Sequence, residues 1–392
     1  MLLGFAFAGA FLYGPGDFST RRPQMTDTPD RPQPQPGILK IAPYVPGKSQ
    51  AAPGVTPIKL SANESPLGAS PAAIAALLEA DRSPEIYPEG TSRILREALG
   101  EVHGLDPERI VAGNGSDDLL HLLAQCYLGE RDNAVMSRHG FNVYPIVTMG
   151  ASAEIVMAPE RDYRADIDAL LRAVTPATRM LFLANPNNPT GTYLSGEELE
   201  RLHAGLRPDI LFVLDSAYAE YVTAEDYDVG ISLVNANENV VMVRTFSKMG
   251  LAASRIGWMY APAHVVDVVN RIRGPFNVNR PAQYAGAAAA RDVEFTARLK
   301  RYNAQWRAWL TTALNGNAIR VIPSEANFVL ALFDSPETSK AAFQALFNEG
   351  LIVREIGVYG IENGLRISIG PEAAMRRLVE ILKAFGAPGA RN

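Results

Sequence analysis

Short apolar runs alternate along the middle of the chain with segments whose apolar positions have helical spacing. An unbroken apolar run is typical of a strand buried on both faces, and its alternation with helices predicts a largely parallel sheet covered by helices. We therefore predict an α/β fold. The runs are RIVAG (109–113), AVMS (134–137), EIVMAP (154–159), MLFLANP (180–186), ILFVLD (210–215) and VVMV (240–243).

Capping residues predict where several helices begin and end. Ser70 can cap a helix from Pro71 to Glu79, with the proline in its first turn. A second helix, SRILREALGEVHG, is predicted to end at Gly104, and a third to begin near Asp117. The C-terminal third mixes a long helical segment with the apolar runs IRVIP, ANFVLALF and LRISIG, which predicts a smaller α+β domain beyond a cleft.

The two ends of the chain differ in character from its middle. The opening MLLGFAFAGAFLYG (1–14) resembles a signal-peptide core, but no basic residue precedes it and it is too short to span a bilayer. Met25 opens a polar, proline-rich stretch, so we expect translation to begin there and residues 1–24 to lie outside the fold. The predicted segments are a disordered or wrongly started extension (1–37), an arm that contributes to the small domain (38–70), a large domain (71–285) and a C-terminal small domain (286–392).

Composition narrows the range of partners. The chain has 392 residues, 47% of them hydrophobic, and a net charge of -5, which argues against nucleic acid or an anionic membrane as the main partner. The single cysteine, Cys126, excludes an intramolecular disulfide and fits the cytoplasm, and we expect it to pack in the core. The five histidines lack metal-ligand spacing, so no metal site is predicted.

Polar, glycine-rich and aromatic residues follow the predicted strands. Ligands of such sheets bind beyond the carboxyl ends of the strands, where the loops converge. We therefore expect one site at this edge of the sheet. The residues concerned are Gly113–Asp117, Arg138–Phe141, Asn185–Gly191, Asp215–Tyr218 and Ser247–Lys248.

Lys248 and Asp215 together suggest covalent amine chemistry. A lysine at a strand exit can form an imine with an aldehyde cofactor, and pyridoxal phosphate is the aldehyde that acts as an electron sink once its ring nitrogen is protonated. Asp215, directly after an apolar strand, can pair with that nitrogen. The alternatives are a solvated surface lysine and an aspartate that caps a turn.

Further residues fit the same cofactor. Tyr218 and Asn188 can hold the phenolate oxygen, although either could be structural and NPNNPTG also has a plain turn reading. The helix start in GNGSDDLL offers amides to a phosphate. Arg255 and Ser247 would add a positive charge and a hydroxyl there, and Phe141 could stack on the ring or pack in the core.

The ordered motifs LSANESPLG, YPEGTSRILREAL, GNGSDDLL, NPNNPTG, DSAYAEY and TFSKMGLAASRIGW carry a family resemblance over roughly residues 38–385. The chain resembles the fold-type I pyridoxal-phosphate aminotransferases, and within them the histidinol-phosphate aminotransferase group. The resemblance implies a large domain with a mostly parallel sheet, which binds the cofactor, and a smaller α+β domain. It also implies a homodimer.

The resemblance assigns a role to each residue. Lys248 would bind the cofactor aldehyde and move the proton between the substrate α-carbon and C4′ of the cofactor, and Asp215 would pair with the pyridinium. Tyr218 and Asn188 would bind its O3′ and Phe141 would stack on the ring. The phosphate would be bound by Ser116 and Asp117 through their amides, by Ser247 and Arg255, and by Tyr87 of the neighbouring subunit.

Four residues are assigned to substrate by the resemblance. Arg366 would bind a carboxylate or phosphate, Arg354 would be the second arginine of the histidinol-phosphate branch, and Tyr44 and Asn63 would lie at the same pocket. A surface salt bridge is the alternative for Arg354. The chain departs from common family residues at Asp118, Ser216, Ala252–Arg255 and Phe141, where some relatives have tyrosine.

We therefore expect a cytoplasmic, dimeric aminotransferase of histidine biosynthesis that converts histidinol phosphate and 2-oxoglutarate to imidazole-acetol phosphate and glutamate. The alternatives within the fold are an aromatic amino acid aminotransferase and a decarboxylase of amino-acid phosphates. A cofactor-binding regulator or an inactive enzyme is the alternative from another class. It would carry a DNA-binding segment or lack the lysine or aspartate, and the sequence shows neither change.

Overall fold

The structure, a computed structural model, describes residues 32–43 and 54–386. The predicted start at Met25 and the expected substrate residue Tyr44 therefore lie outside the described residues. Within the described ranges, no helix is both long enough and apolar enough to span a membrane.

The strands of the described residues number fifteen. In chain order they are β1 (Ile58–Lys59), β2 (Ile110–Gly113), β3 (Asn133–Ser137), β4 (Glu154–Ala158), β5 (Glu160–Arg161), β6 (Arg164–Ala165), β7 (Thr178–Ala184), β8 (Leu211–Asp215), β9 (Val240–Thr245), β10 (Gly257–Tyr260), β11 (Arg320–Ile322), β12 (Phe328–Leu332), β13 (Leu351–Ile352), β14 (Arg354–Glu355) and β15 (Gly364–Ser368).

The same residues contain twelve α-helices. In chain order they are α1 (Pro71–Ala80), α2 (Arg93–His103), α3 (Ser116–Tyr127), α4 (Val143–Gly150), α5 (Ile167–Ala173), α6 (Gly196–Ala204), α7 (Ile231–Ala236), α8 (Ala263–Ile272), α9 (Arg280–Arg291), α10 (Val293–Asn315), α11 (Pro336–Asn348) and α12 (Glu372–Leu382).

The central sheet has seven strands in the order β2-β10-β9-β8-β7-β3-β4. Six run parallel, and β10 runs antiparallel to both neighbours because it returns directly from β9. Every residue of β2, β3, β8 and β9 is buried, which explains their unbroken apolar runs. The predicted α/β fold with a largely parallel sheet is confirmed.

A second sheet of four antiparallel strands follows in the order β11-β12-β15-β14. Its core includes Trp306 and Leu310 of α10, with residues of α11 and α12. The N-terminal arm joins this part of the molecule because β1 pairs in parallel with β13. The predicted domain boundaries at residues 70 and 285 stay predictions.

The helix after Ser70 begins as predicted. The Ser70 hydroxyl accepts a hydrogen bond from the Ala73 amide at 3.2 Å, and α1 extends one residue beyond the predicted end. A hairpin made by β5 and β6 was not predicted, because its strands have two residues each and carry charged side chains without apolar alternation. Asp162 and Tyr163 turn it with φ of 49° and 63°, without a glycine to mark the turn.

The loop after β9 is held against the N-terminal arm through two glycines. Gly250 has φ of 90°, and a Cβ placed on it would lie 2.1 Å from the carbonyl oxygen of Gly68. Gly68 itself has φ of 72° but open space around its Cβ position. Backbone contact at Gly250 therefore fixes the loop that carries Lys248.

We predict that Gly250→Ala destabilises the protein more than Gly68→Ala. Both place alanine in the left-handed region, at about 1–2 kcal/mol, but only Gly250→Ala also forces two backbone segments apart. Urea unfolding followed by circular dichroism measures both losses, with Gly68→Ala as the matched control. Equal losses for the two variants would contradict the contact.

Candidate active site

Two adjoining cavities open at the carboxyl edge of β7, β8 and β9. The smaller, of about 250 Å³, is lined by residues that include Lys248, Asp215 and Ser116. The larger, of about 620 Å³, shares Lys248 with it and extends to Arg354 and Arg366. All five predicted strand ends therefore line one site, together with the arm.

Lys248 follows β9 in a turn of 3-10 helix. Its backbone carbonyl accepts a hydrogen bond from the hydroxyl of buried Tyr221, which anchors the turn. Its Nζ points into the cavity, 3.5 Å from the Ala62 carbonyl oxygen and 5.7 Å from the centre of the Tyr218 ring. Burial, and next the nearby Arg366, lower the pKa of the amine to about 8. A larger fraction of the amine is therefore in the neutral, nucleophilic form near neutral pH than for a lysine in water.

Asp215 ends β8 and is 3% exposed. It accepts hydrogen bonds from the Tyr144 hydroxyl at 2.8 Å and from the Ala217 amide at 3.2 Å, both neutral donors. Burial raises the pKa of its carboxyl to about 6. The Ala217 contact matches the alternative of an aspartate that caps a turn. The carboxylate lines the cavity, and keeping it charged there costs free energy because it is buried. A cationic ring nitrogen would offset that cost, so the site fits the predicted cofactor.

Tyr218 and Asn188 lie on two sides of the same space. The Tyr218 hydroxyl accepts a hydrogen bond from Asn63 Nδ2 at 2.9 Å, and burial raises the pKa of Tyr218. Asn188 Oδ1 accepts a hydrogen bond from Arg366 Nη1 at 2.5 Å, and Arg366 Nη2 donates to the Ser61 carbonyl at 2.6 Å. Asn63, one of the expected substrate residues, is thus in the site through its bond to Tyr218.

The predicted phosphate cradle lies at the start of α3. The Thr245 hydroxyl donates to Ser247 Oγ at 3.0 Å, and Arg255 Nη1 donates to the same oxygen at 3.4 Å. Arg255 Nη2 is 3.5 Å from the Asp117 carboxylate. A Cβ on Gly115 would lie 2.8 Å from Arg255 Nη2, so a glycine lets the guanidinium approach the helix start. Amides and a guanidinium in this arrangement favour an anion.

Arg354 and Arg366 are cross-strand neighbours in the small sheet. Their Cα atoms are directly opposed between β14 and β15, so both side chains leave the same face of the sheet. Both line the larger cavity. Two guanidinium groups on one face repel each other and favour a ligand with a dianionic group.

Phe141 lines both cavities and contacts Tyr144 edge-on, with ring centres 5.7 Å apart. Tyr87 is not brought to these cavities. It is 77% exposed and stacks on Phe276 at 4.9 Å between ring centres. Its expected role requires a second subunit and stays a prediction.

Tyr144, the hydrogen-bond donor to Asp215, was not predicted from the sequence. It lies in an apolar helical segment, where a tyrosine is normally interpreted as a core residue. A buried hydroxyl requires a hydrogen-bond partner, but the sequence does not show which residue that is. His121, Asn142 and Tyr359 of the larger cavity were also missed. They lie on helices or in a turn, outside the residues that directly follow strands.

The family model for aminotransferase class I and II matches residues 55–382, and the chain belongs to this family. The predicted family is thus confirmed. It is 52% identical over 361 residues to histidinol-phosphate aminotransferase from Nitrobacter hamburgensis, across 91% of this chain and 99% of that protein. It is 51% identical over 358 residues to the enzyme of that name from Rhodospirillum rubrum, across 91% and 97%.

Solved structures agree with the fold. The crystal structure of histidinol-phosphate aminotransferase from Sinorhizobium meliloti in complex with pyridoxal-5'-phosphate superposes with a TM-score of 0.84 at 26% identity, covering 91% of this chain and 98% of that one. L-threonine-O-3-phosphate decarboxylase from Porphyromonas gingivalis shares the fold, with a TM-score of 0.72 at 24% identity, 84% and 99% coverage. At that identity the similarity shows a common fold and nothing about the reaction.

We predict that Asp215→Asn stabilises the ligand-free protein as pH rises. The folded carboxyl has a pKa of about 6 against 3.8 for the free group, so folding above pH 6 requires a buried charge that is absent below pH 4. The unfolding free energy of the variant minus that of the wild type should therefore rise by up to about 3 kcal/mol between pH 4 and 7.

Urea unfolding at several pH values measures this difference, with Asp334→Asn as the control at an exposed loop position. A difference that stays constant from pH 4 to 7 would show that the buried carboxyl carries no such cost.

Proposed function

We propose that the chain is a pyridoxal-phosphate-dependent histidinol-phosphate aminotransferase of histidine biosynthesis. It transfers the amino group of histidinol phosphate to 2-oxoglutarate and so forms imidazole-acetol phosphate and glutamate. The observation that carries the proposal is the single site that joins Lys248 and Asp215 to a pair of arginines. The match of half the residues over nearly the full length of curated relatives supports the same substrate.

The residues divide the work of holding the cofactor. Lys248 would bind it covalently, Asp215 would pair with its ring nitrogen, and Phe141 would pack against its ring. Tyr218 and Asn188 would bind its phenolate oxygen. Its phosphate would be bound by the α3 amides at Ser116 and Asp117, by Ser247 and by Arg255. When bound, pyridoxal phosphate supplies an aldehyde and an electron-accepting ring.

Lys248 also moves a proton. Its Nζ takes the proton from the substrate α-carbon, and a pKa of about 8 keeps a useful fraction of the amine neutral for this task. Tyr221 holds the backbone carbonyl of Lys248, so the amine is presented from a fixed turn. Asp215 would be stabilised in its charged form by a protonated ring nitrogen, and its carboxylate would in turn favour the electron-accepting form of the ring.

The substrate anions bind on the small-sheet wall of the cavity. Arg354 and Arg366 together match the phosphate of histidinol phosphate, and the same guanidinium groups accept the carboxylates of glutamate and 2-oxoglutarate in the second half of the reaction. Asn63, which is bonded to Tyr218, lies beside these groups.

A half-reaction assay tests the function. The cofactor-loaded protein is mixed separately with histidinol phosphate, glutamate, phenylalanine and tyrosine, and conversion of the cofactor to its amine form is followed by absorbance. We expect histidinol phosphate and glutamate to convert it, with histidinol phosphate at least tenfold faster than phenylalanine. Lys248→Ala should slow conversion by about 10³-fold, since it removes the proton carrier.

Lys340→Ala, an exposed lysine of α11, is the matched control and should keep the wild-type rate. Conversion by phenylalanine and tyrosine without histidinol phosphate would identify an aromatic aminotransferase. Release of carbon dioxide from an amino-acid phosphate, with no need for a 2-oxo acid, would identify a decarboxylase.

The protein acts as a cytoplasmic homodimer in this proposal. Exposed apolar side chains support the dimer. Ile74 and Leu78, four residues apart on α1, are 48% and 63% exposed. Tyr87, which precedes α2, and Phe276, which precedes α9, stack on each other and are also exposed. The free thiol of Cys126, with no second cysteine to pair with, supports the reducing cytoplasm.

We predict that sedimentation of the wild type gives twice the 42.4 kDa chain mass and that Leu78→Glu shifts it toward the monomer, because a buried charge opposes association. Met157→Glu, at an equally apolar and half-exposed position on β4, is the control and should remain dimeric. A wild-type monomer, or a dimer unchanged by Leu78→Glu, would exclude this surface.

A further inference from the structure

One wall of the larger cavity combines apolar side chains with two polar ones. It is formed by α3 and the start of α4, which pack on each other. We call this wall the ring slot and define it by His121, Phe141, Asn142, Val143 and Ile146. Three of these side chains are apolar and two are polar, as expected for a site that takes an aromatic ring with hydrogen-bonding atoms.

The hydrogen bond made by His121 fixes which of its nitrogens is free. His121 Nδ1 lies 2.8 Å from the backbone carbonyl oxygen of Asp117, one turn earlier on α3. A carbonyl oxygen only accepts hydrogen bonds, so Nδ1 carries the hydrogen, and Nε2 of the neutral ring is an acceptor. The ring folds back along α3 toward its first turn, where Ser116 and Asp117 line the site.

The second polar side chain of the ring slot is also available to a ligand. Asn142 occupies the cap position of α4 but makes no capping hydrogen bond with its side chain. An amide both donates and accepts, so it can pair with either nitrogen of a heteroaromatic ring.

The charges of the cavity place the two ends of a substrate on different walls. Arg354 and Arg366 project from the small sheet, whereas the ring slot belongs to helices packed on the central sheet. A molecule with an anionic group and a ring, joined through the carbon that bears its amine, can therefore meet the arginines with one end and the ring slot with the other.

Resting on the proposed function, we propose that His121 determines specificity by reading the imidazole ring of the substrate. Its Nε2 accepts the ring N–H of histidinol phosphate, and Asn142 pairs with the second ring nitrogen. A phenyl ring offers neither group and leaves His121 Nε2 and the Asn142 amide without partners, which selects against aromatic hydrocarbon side chains.

The test compares two substrates that differ only in the ring. Histidinol phosphate and phenylalaninol phosphate share the amine and the phosphate, so the ratio of their kcat/KM values isolates recognition of the ring. The holoenzyme is measured as wild type, His121→Leu, His121→Gln and Gln125→Leu. Glutamine keeps an acceptor near the position of Nε2, leucine removes it, and Gln125 is exposed one turn further along α3.

We expect His121→Leu to lower the ratio about five- to tenfold, the loss of one net hydrogen bond, mainly through a higher KM for histidinol phosphate. His121→Gln should keep the ratio within about twofold of the wild type, and Gln125→Leu should not change it. A His121→Leu ratio within twofold of the wild type overturns the inference, as does an equal loss in His121→Gln. Failure of the wild type to use histidinol phosphate at all overturns the proposed function instead, and this inference with it.

Discussion

The carboxyl group of Asp215 lies out of water at the end of a fully buried strand, and the balance of its charge governs the site. Its protein partners are the neutral hydroxyl of Tyr144 and a backbone amide, which leave the pKa raised to about 6. Across the cavity, burial lowers the pKa of the Lys248 amine to about 8. Burial thus disfavours the charged form of both groups. An aldehyde would react with the neutral amine, and a protonated aromatic ring would relieve the cost of burying the carboxylate.

The site is also where two separately formed sheets meet. Asn188 follows a strand of the central sheet, and Arg366 lies within the small sheet, yet the two share a hydrogen bond across 178 residues of sequence. Because Arg366 also binds the Ser61 carbonyl of the arm, one guanidinium ties three parts of the chain together. Recognition of the substrate anion is therefore linked to the packing of the sheets and the arm.

Residues that directly follow apolar strands could be predicted from the sequence. Lys248, Asp215 and Asn188 were found in this way, because parallel strands bring their carboxyl ends to one edge. Tyr144 could not be predicted, because the apolar pattern of α4 does not show that its tyrosine directs the hydroxyl toward the sheet. His121 was not predicted for a related reason: its significance depends on packing between α3 and α4, and nothing in the motif that marks the start of α3 indicates that contact. The β5–β6 hairpin lacked both glycine and apolar alternation.

The contact between Gly250 and Gly68 joins two loops that are remote in sequence at the level of their main chains. Side chains can adjust to one another, but two backbones in contact cannot, so neither loop can gain or lose a residue without displacing the other. Transfer of the lysine loop into a related scaffold would consequently require transfer of the arm segment around Gly68 as well. The two loops therefore form one structural unit, although 181 residues lie between the two glycines in the chain.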